Sequence, residues 1–430
     1  MIFSYEQWRS LMQPQGEQSP FSASVNVLFF RWELCKMYSY NEVMTFVEEE
    51  DVKFIRLAFC DVFGNQKNIS IMPSELKRAF LEGIPFEADS VPGFETGAMS
   101  DLILHPDPAT LAILPWRPSH GRVVRMFCDI TYPDGTPFER DGRDILQNAV
   151  EVAEETGIDV TFSSKTEFYL FKTDEQGEPT KIPFDNAGYL DIAPADKGEN
   201  VRREICFTLL DMGIYPESSH HEAGPGQNEI DFRHSDPMTA ANDAVTFRSV
   251  VSTVATRNGL YASFSPKPLP SSCGNGFHIT MNATAQSGED VSEAFAAGIL
   301  SHIREITLFC NPTEESYLRL GEMRAPEYIN WSGENRSQLL RVKKTASSGT
   351  LITLRSPDPG ANVYTVFSLL LFAGIEGVAK KYQLPPPVSE TDSEHMQRLP
   401  ATLGEALKIA ESSEFVNSIL PKGYSELFKR

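Results

Sequence analysis

The chain lacks paired cysteines. Cys35, Cys60, Cys128, Cys206, Cys273 and Cys310 stand far apart and no CxxC occurs. That argues against a zinc ribbon and a dithiol redox motif. Scattered thiols fit a reducing compartment, so a cytoplasmic protein is expected. Long apolar runs are also missing. Val25 to Phe30 is short, contains Asn26 and ends at Arg31, too little for a membrane span or a signal-peptide core. Positive charge is scarce: 38 Lys and Arg face 59 Asp and Glu, a net charge of −21. Such a chain repels phosphate backbones, so neither nucleic acid nor membrane is an expected partner. No internal repeat occurs.

What is present is an ordinary globular balance, with 41% apolar and 23% charged residues, which argues against wholesale disorder. At 430 residues the chain exceeds one ordinary core, so two domains are expected. Residues 1–36 read as an N-terminal extension without recognisable chemistry. Residues 37–135 read as a small mixed β domain. It opens with a helical pattern over Ser39–Glu50. Strand, turn and strand follow over Phe54–Ile71, with β-like runs at Leu111–Leu114 and Val123–Ile130. The turn Tyr132-Pro133-Asp134-Gly135 marks a boundary. From 136 to 430 helix and strand alternate, which predicts an α+β or α/β catalytic domain. Its helices fall at Arg143–Glu155, Glu199–Met212 and Pro237–Asn258. Its strands fall at Asp159–Phe171, around His220–Phe232, at Tyr261–Ser265 and at His278–Ala283. Leu384-Pro385-Pro386-Pro387 is expected to end a helix, and one final amphipathic helix starts at Leu403.

Three segments carry candidate chemistry. In the strand Phe162–Tyr169, Lys165, Glu167 and Tyr169 share one face, opposite Phe162, Phe168 and Leu170. Alone, this pattern reads as a Lys/Glu pair on a solvated sheet face rather than as a rigid metal ligand. In His220-His221-Glu222-Ala223-Gly224-Pro225-Gly226-Gln227-Asn228-Glu229-Ile230-Asp231 two acids flank a Gly-Pro-Gly turn. If the arms pair, Glu222 and Glu229 can point at one cation, and carboxylates suit Mg²⁺ or Mn²⁺. The third segment, Cys273-Gly274-Asn275-Gly276-Phe277-His278, allows close backbone approach to a ligand. It also places His278 at a strand start, where a histidine is more often structural than ligating. Further on, Arg319, Arg336, Arg341 and Arg355 suggest forked donors for a carboxylate or phosphate, although each alone reads as a surface charge.

From about Met37 onward the chain resembles the bacterial type I glutamine synthetase family. The resemblance is carried, in order, by FIRLAFCDVFGNQKNISI, SDLILHPDP, GYLDIAPAD, HHEAGPGQNEID, KPLPSSCGNGFH, NPTEESYLRL, ENRS, LRSPDPGAN and LPATLGEALKIAESSEF. It implies a β-grasp N-terminal domain and a catalytic domain with a curved antiparallel sheet and helices. It also implies a homo-dodecamer of two stacked hexamer rings, with active sites shared between neighbours. The implied reaction is ATP-dependent joining of glutamate to ammonia or another amine through an acyl phosphate, served by two Mg²⁺ or Mn²⁺ ions.

Residue by residue, the resemblance puts the first-ion glutamates on Glu167, Glu222 and Glu229. It puts Gly274, Arg319 and Arg355 at the amino-acid substrate, Arg336 and Arg341 at the nucleotide, and Arg336 also among the catalytic groups. The ammonium-site aspartate falls on Glu87 and the flap glutamate on Arg324. Of the second ion's ligands only His278 is kept. An acid is replaced by Lys165 and a glutamate by Thr353, and a basic position falls on Leu351. An ammonium and a hydroxyl do not substitute for two carboxylates around Mg²⁺. The expectation is that Lys165 takes part of the second cation's place, paired with a neighbouring carboxylate. Loss of a phosphate-binding element slows phosphoryl transfer by several powers of ten. Two readings stay open: a ligase altered in rate and amine choice, or a non-catalytic relative. The latter would bind a carboxylate ligand or co-assemble with an active synthetase.

Overall fold

The computed structural model describes residues 38–95, 101–117, 120–345, 349–388 and 396–429. The expected extension at 1–36 and Met37 lie outside them.

The N-terminal sheet forms around β1 (Val52–Cys60) and β6 (Arg122–Thr131), whose apolar runs are buried. The strand order is β2-β1-β6-β4-β3. Here β2 is Gln66–Ile71, β3 Ile84–Glu87 and β4 Asp101–Pro106, and β5 (Ala112–Ile113) lies beside β6. β1 and β6 run parallel, and the other pairs are antiparallel. Helix α1 (Tyr40–Glu49) starts at Ser39, whose side chain forms a reciprocal capping box with Glu42; such a box satisfies two orphan amides. The run expected at Leu111–Leu114 pairs only over Ala112–Ile113. A short α2 (Leu76–Glu82) completes this part.

The large sheet is built on β7 (Ile158–Thr173), a 16-residue strand. Its order is β13-β14-β15-β12-β7-β10-β9. The ranges are β9 Pro216–His221, β10 Gln227–Phe232, β12 Phe277–Ala285, β13 Trp331–Ser332, β14 Leu340–Thr345 and β15 Gly349–Leu354. β8 (Pro179–Pro183) and β11 (Leu260–Ser263) also pair with β7. The sheet is antiparallel except where β13 pairs parallel to β14 at its edge, so it is mixed rather than wholly antiparallel.

One side of this sheet is covered by helices α3 (Gly142–Glu155), α5 (Pro237–Arg257), α6 (Ser292–Cys310) and α8 (Val363–Ala379). α8 is buried nearly all round. It meets α6 at Gly298 and Gly377, where an added methyl would lie 2.0 Å from the Ala373 carbonyl and 2.2 Å from the Ala294 carbonyl. Side chains there would force the helices apart. α8 stops at Ala379, five residues before Leu384, because Lys381 turns to φ 54°. α4 (Glu199–Asp211) and α7 (Glu314–Arg319) flank the sheet's other parts. The single final helix is two, α9 (Leu403–Ser412) and α10 (Glu414–Ile419). Ser413 breaks the run and caps the second helix by accepting from the Val416 amide. No helix among the described residues is long and apolar enough to cross a membrane.

Candidate metal centre

Strand register assembles the site. On β7, Lys165 and Glu167 face the same way by the twofold alternation of a strand. Antiparallel pairing sets Glu229 opposite Glu167 and Asp231 opposite Lys165. On the next strand His220 lies opposite Glu229 and Ser218 opposite Asp231. On the other side of β7, His278 lies opposite Lys165. Beyond it Thr353 lies opposite Thr280. The Gly-Pro-Gly turn does fold Glu222 back beside Glu229: His220, Glu222 and Glu229 offer ligand atoms within 4.8 Å of one another, and so do Glu167, Glu229 and His278.

Among the described residues, two of the carboxylates are held by hydrogen bonds, and the third is not. Glu167 Oε2 accepts from the Gly276 amide (2.8 Å) and Gln227 Nε2 (3.2 Å), while Oε1 lies 3.8 Å from His278 Nε2. Glu222 Oε2 accepts from the Ala223 amide (2.9 Å), and Oε1 lies 3.1 Å from His220 Nε2. Glu229 meets His278 Nδ1 and His220 Nε2 only at 3.8 and 3.7 Å. Burial, then the Glu222 charge, pushes the Glu167 carboxyl up to about 7. Burial and the neighbouring Glu167 and Asp231 charges raise Glu229 well above the usual carboxylate range. Burial, reinforced by Arg355, Arg319 and Lys165, holds His278 well below its ordinary value, so it is a neutral imidazole. Crowded acids beside a neutral imidazole form the donor set that a divalent cation relieves. The residues present fit a first ion.

The second-ion residues do not. The Lys165 ammonium is paired with Asp231 Oδ2, which also accepts from Ser218 Oγ at 2.8 Å. The expected pairing with a neighbouring carboxylate is met, and the carboxylate is Asp231. Thr353 Oγ1 is engaged with Thr280 Oγ1 at 3.0 Å.

Behind the turn a second cluster, Asp185, Asp196 and His221, is a brace. His221 Nε2 donates to Asp185 (2.9 Å) and Nδ1 to the Glu222 carbonyl (2.6 Å). Burial opposes its charge, but the Asp185 and Glu222 hydrogen bonds together with the Asp185 and Asp196 charges outweigh burial and raise it. Asp196 is gripped by Arg202 through both oxygens. With its acids engaged, this cluster positions Glu222 and offers no cation site.

The acids and arginines line one cavity of about 380 Å³, which includes Gly274, Arg319, Arg324, Arg336, Arg341 and Arg355. Arg341 Nε and Arg355 Nε are buried without a hydrogen bond. Arg319 differs. It is 3% exposed and donates to the carbonyls of Ser356 (2.8 Å), Arg355 and Pro357 (both 3.1 Å), so it braces the loop bearing Arg355 while touching the cavity. Gly274 packs against Arg319, and a methyl there would lie 2.4 Å from the Pro266 carbonyl. Arg324 stands on a strained loop, at φ 111° after Met323 at φ 52°, with its guanidinium 6.0 Å from the Tyr189 ring. Glu87 is not part of this cavity; it is exposed at the end of β3. A larger cavity, about 730 Å³, lies between β2 and α5. Arginines but no carboxylates line it, so it is no cation site.

Sequence reasoning did not single out Asp231, Ser218, His220 or Gln227. The first and last were within reach, because Gln227, Glu229 and Asp231 alternate on one strand face.

A curved sheet sets three glutamates and a group of arginines around one cavity, a donor set that suits a divalent cation and an anionic ligand. The glutamine synthetase beta-grasp domain matches residues 51–133 and the glutamine synthetase catalytic domain residues 139–430. The chain is 39% identical over 408 residues to the glutamine synthetase of Staphylococcus aureus strain MW2, covering 90% of this chain and 92% of that one. Glutamine synthetase of Staphylococcus epidermidis is likewise 39% identical, over 410 residues. Among solved structures, a GmaS/ADP complex aligns at TM-score 0.81 with 25% identity, covering 90% of this chain and 93% of that one. Plasmodium falciparum glutamine synthetase aligns at TM-score 0.82 with 21% identity, covering 91% and 94%. The chain belongs to the glutamine synthetase family.

Proposed function

We propose that this chain is an ATP-dependent carboxylate–amine ligase, altered in rate and in amine choice. The observation that carries this reading is the cavity itself, with Glu167, Glu222 and Glu229 facing arginines across one sheet. The three glutamates hold Mg²⁺ or Mn²⁺, which when bound offsets anionic charge. Arg355, with Gly274 and the Arg319-braced loop, receives the amino-acid carboxylate. Arg336 and Arg341 face the nucleotide phosphates, and Arg336 steadies the transferring group. The ADP complex of the structural relative supports a nucleotide here. Arg324 replaces an acid at the cavity mouth, where a guanidinium repels ammonium and favours a neutral or larger amine. Glu87 reaches a site only from a neighbouring copy, in a ring assembly of the dodecameric kind acting in the cytoplasm.

A second reading is favoured by Lys165 and Thr353 standing where acids are needed: a non-catalytic member that binds a carboxylate ligand or co-assembles with an active synthetase. Phosphate release and γ-glutamyl hydroxamate formation, measured with Mg²⁺ and Mn²⁺ over a panel of amines, separate the two. Amine-dependent phosphate release supports the ligase. Binding of metal and glutamate without turnover supports the second reading. Binding of neither defeats both.

A further inference from the structure

The family resemblance implies two ions, and the residues around the second do not fit one. Lys165 lies directly across the ladder from His278, so an ion on that side of His278 would sit against an ammonium. The ammonium is fixed: Asp231, only 8% exposed at its side chain, pairs with it and is itself held by Ser218. The remaining expected ligand position, Thr353, carries a hydroxyl already bonded to Thr280. A protein-borne cation and a neutral hydroxyl pair therefore fill the place, and like-charge repulsion opposes an ion entering it.

That arrangement leaves His278 with no other employment. It is 6% exposed, and among the described residues its side chain makes no hydrogen bond. Its two nitrogens instead lie 3.8 Å from Glu167 Oε1 and 3.8 Å from Glu229 Oε2. That is too long for a hydrogen bond. One ring nitrogen of His278 and one oxygen each of Glu167 and Glu229 also lie within 4.8 Å of one another, the spacing of donors that share one ion. We propose that the site takes a single divalent ion, that Lys165 clamped by Asp231 stands in for the second, and that His278 serves the ion held by Glu167 and Glu229. An imidazole added to carboxylates moves preference from Mg²⁺ toward Mn²⁺ and other transition ions. The inference rests on the metal-binding part of the proposed function, and it holds whether or not the chain turns over.

The test is a count of bound Mn²⁺ on the full chain by electron paramagnetic resonance, without nucleotide or amine. Pulsed measurement of ¹⁴N coupling to the bound ion accompanies it. One ion per chain is expected, with nitrogen coupling that His278→Ala abolishes and His220→Ala leaves. The double variant Lys165→Glu/Thr353→Glu is expected to bind two. Two ions on the unaltered chain would overturn this proposal alone, and that measurement needs no variant to fold. Zero ions would overturn the metal-site reading and this proposal with it. A coupling indifferent to His278→Ala, or a folded double variant that still binds one ion, would also overturn it.

Discussion

His278 and His302 each stand between two glutamates, and they do opposite work. His302, on α6, lies 3.3 Å from Glu305 and 3.3 Å from Glu376 and stacks on the Phe415 ring at 3.9 Å. Burial disfavours its charge, but the hydrogen bonds to Glu305 and Glu376 outweigh that and bring it up to about 9. His278 lies 3.8 Å from Glu167 and Glu229, beside Arg355, Arg319 and Lys165, and stays neutral. The first is a finished ion pair joining α6, α8 and the α10 ring of Phe415. The second is unfinished, because the nearby positive charge belongs to other side chains and none is bonded to it. Hydrogen-bond closure and the sign of the surrounding charge separate a clamp from a ligand.

The largest effect is expected at the unfinished histidine's partners. Glu229→Ala should weaken Mn²⁺ binding by more than the roughly 100-fold typical of losing an outer partner, as read by titration calorimetry. An unchanged affinity would make Glu229 a bystander. Next comes Arg319→Met, which strands three carbonyls on the loop bearing Arg355. A loss of about 3 kcal/mol in urea unfolding is expected, with ligand affinity falling in parallel.

The finished pair gives a smaller, pH-dependent effect. The folded pKa of His302 lies above its ordinary 6.5 at about 9, so folding favours the protonated ring. Its contribution is complete below about pH 6.5 and is lost as pH rises through 9. His302→Leu should cost about 2 kcal/mol at pH 6 and progressively less toward pH 10. A cost independent of pH would show that packing on Phe415 matters and charge does not. Smallest is Arg324→Glu. Stability should stay within about 0.5 kcal/mol, while the KM for ammonium in a turnover assay falls several-fold if the arginine repels it.

What sequence could reveal follows the range over which each feature is determined. The Gly-Pro-Gly turn brings its arms together, so Glu222 and Glu229 were legible as a pair, whereas the alternation of Lys165, Glu167 and Tyr169 marks a shared face without a ligand, and Glu167 joined the pair only through the family resemblance. Which residue faces Lys165 depends on the register of β7 with β10, 66 residues apart at Lys165 and Asp231, and the pattern alone does not count that register. His302 and Glu376 are 74 residues apart on helices whose apolar residues run nearly all round, so no stripe marks a pairing face. The two-helix C-terminus escaped notice because Ser413 resembles any surface serine until its hydroxyl accepts from the Val416 amide. Glu87 reads as a site residue by resemblance, and a single chain places it outside the cavity.

The most direct measurement is a crystal grown with MnCl₂ and an ATP analogue, read by anomalous scattering at the manganese edge. One peak per chain is predicted, bounded by Glu167, Glu229 and His278, with the Lys165 ammonium still on Asp231. Two peaks, the second displacing Lys165 toward solvent, would contradict it.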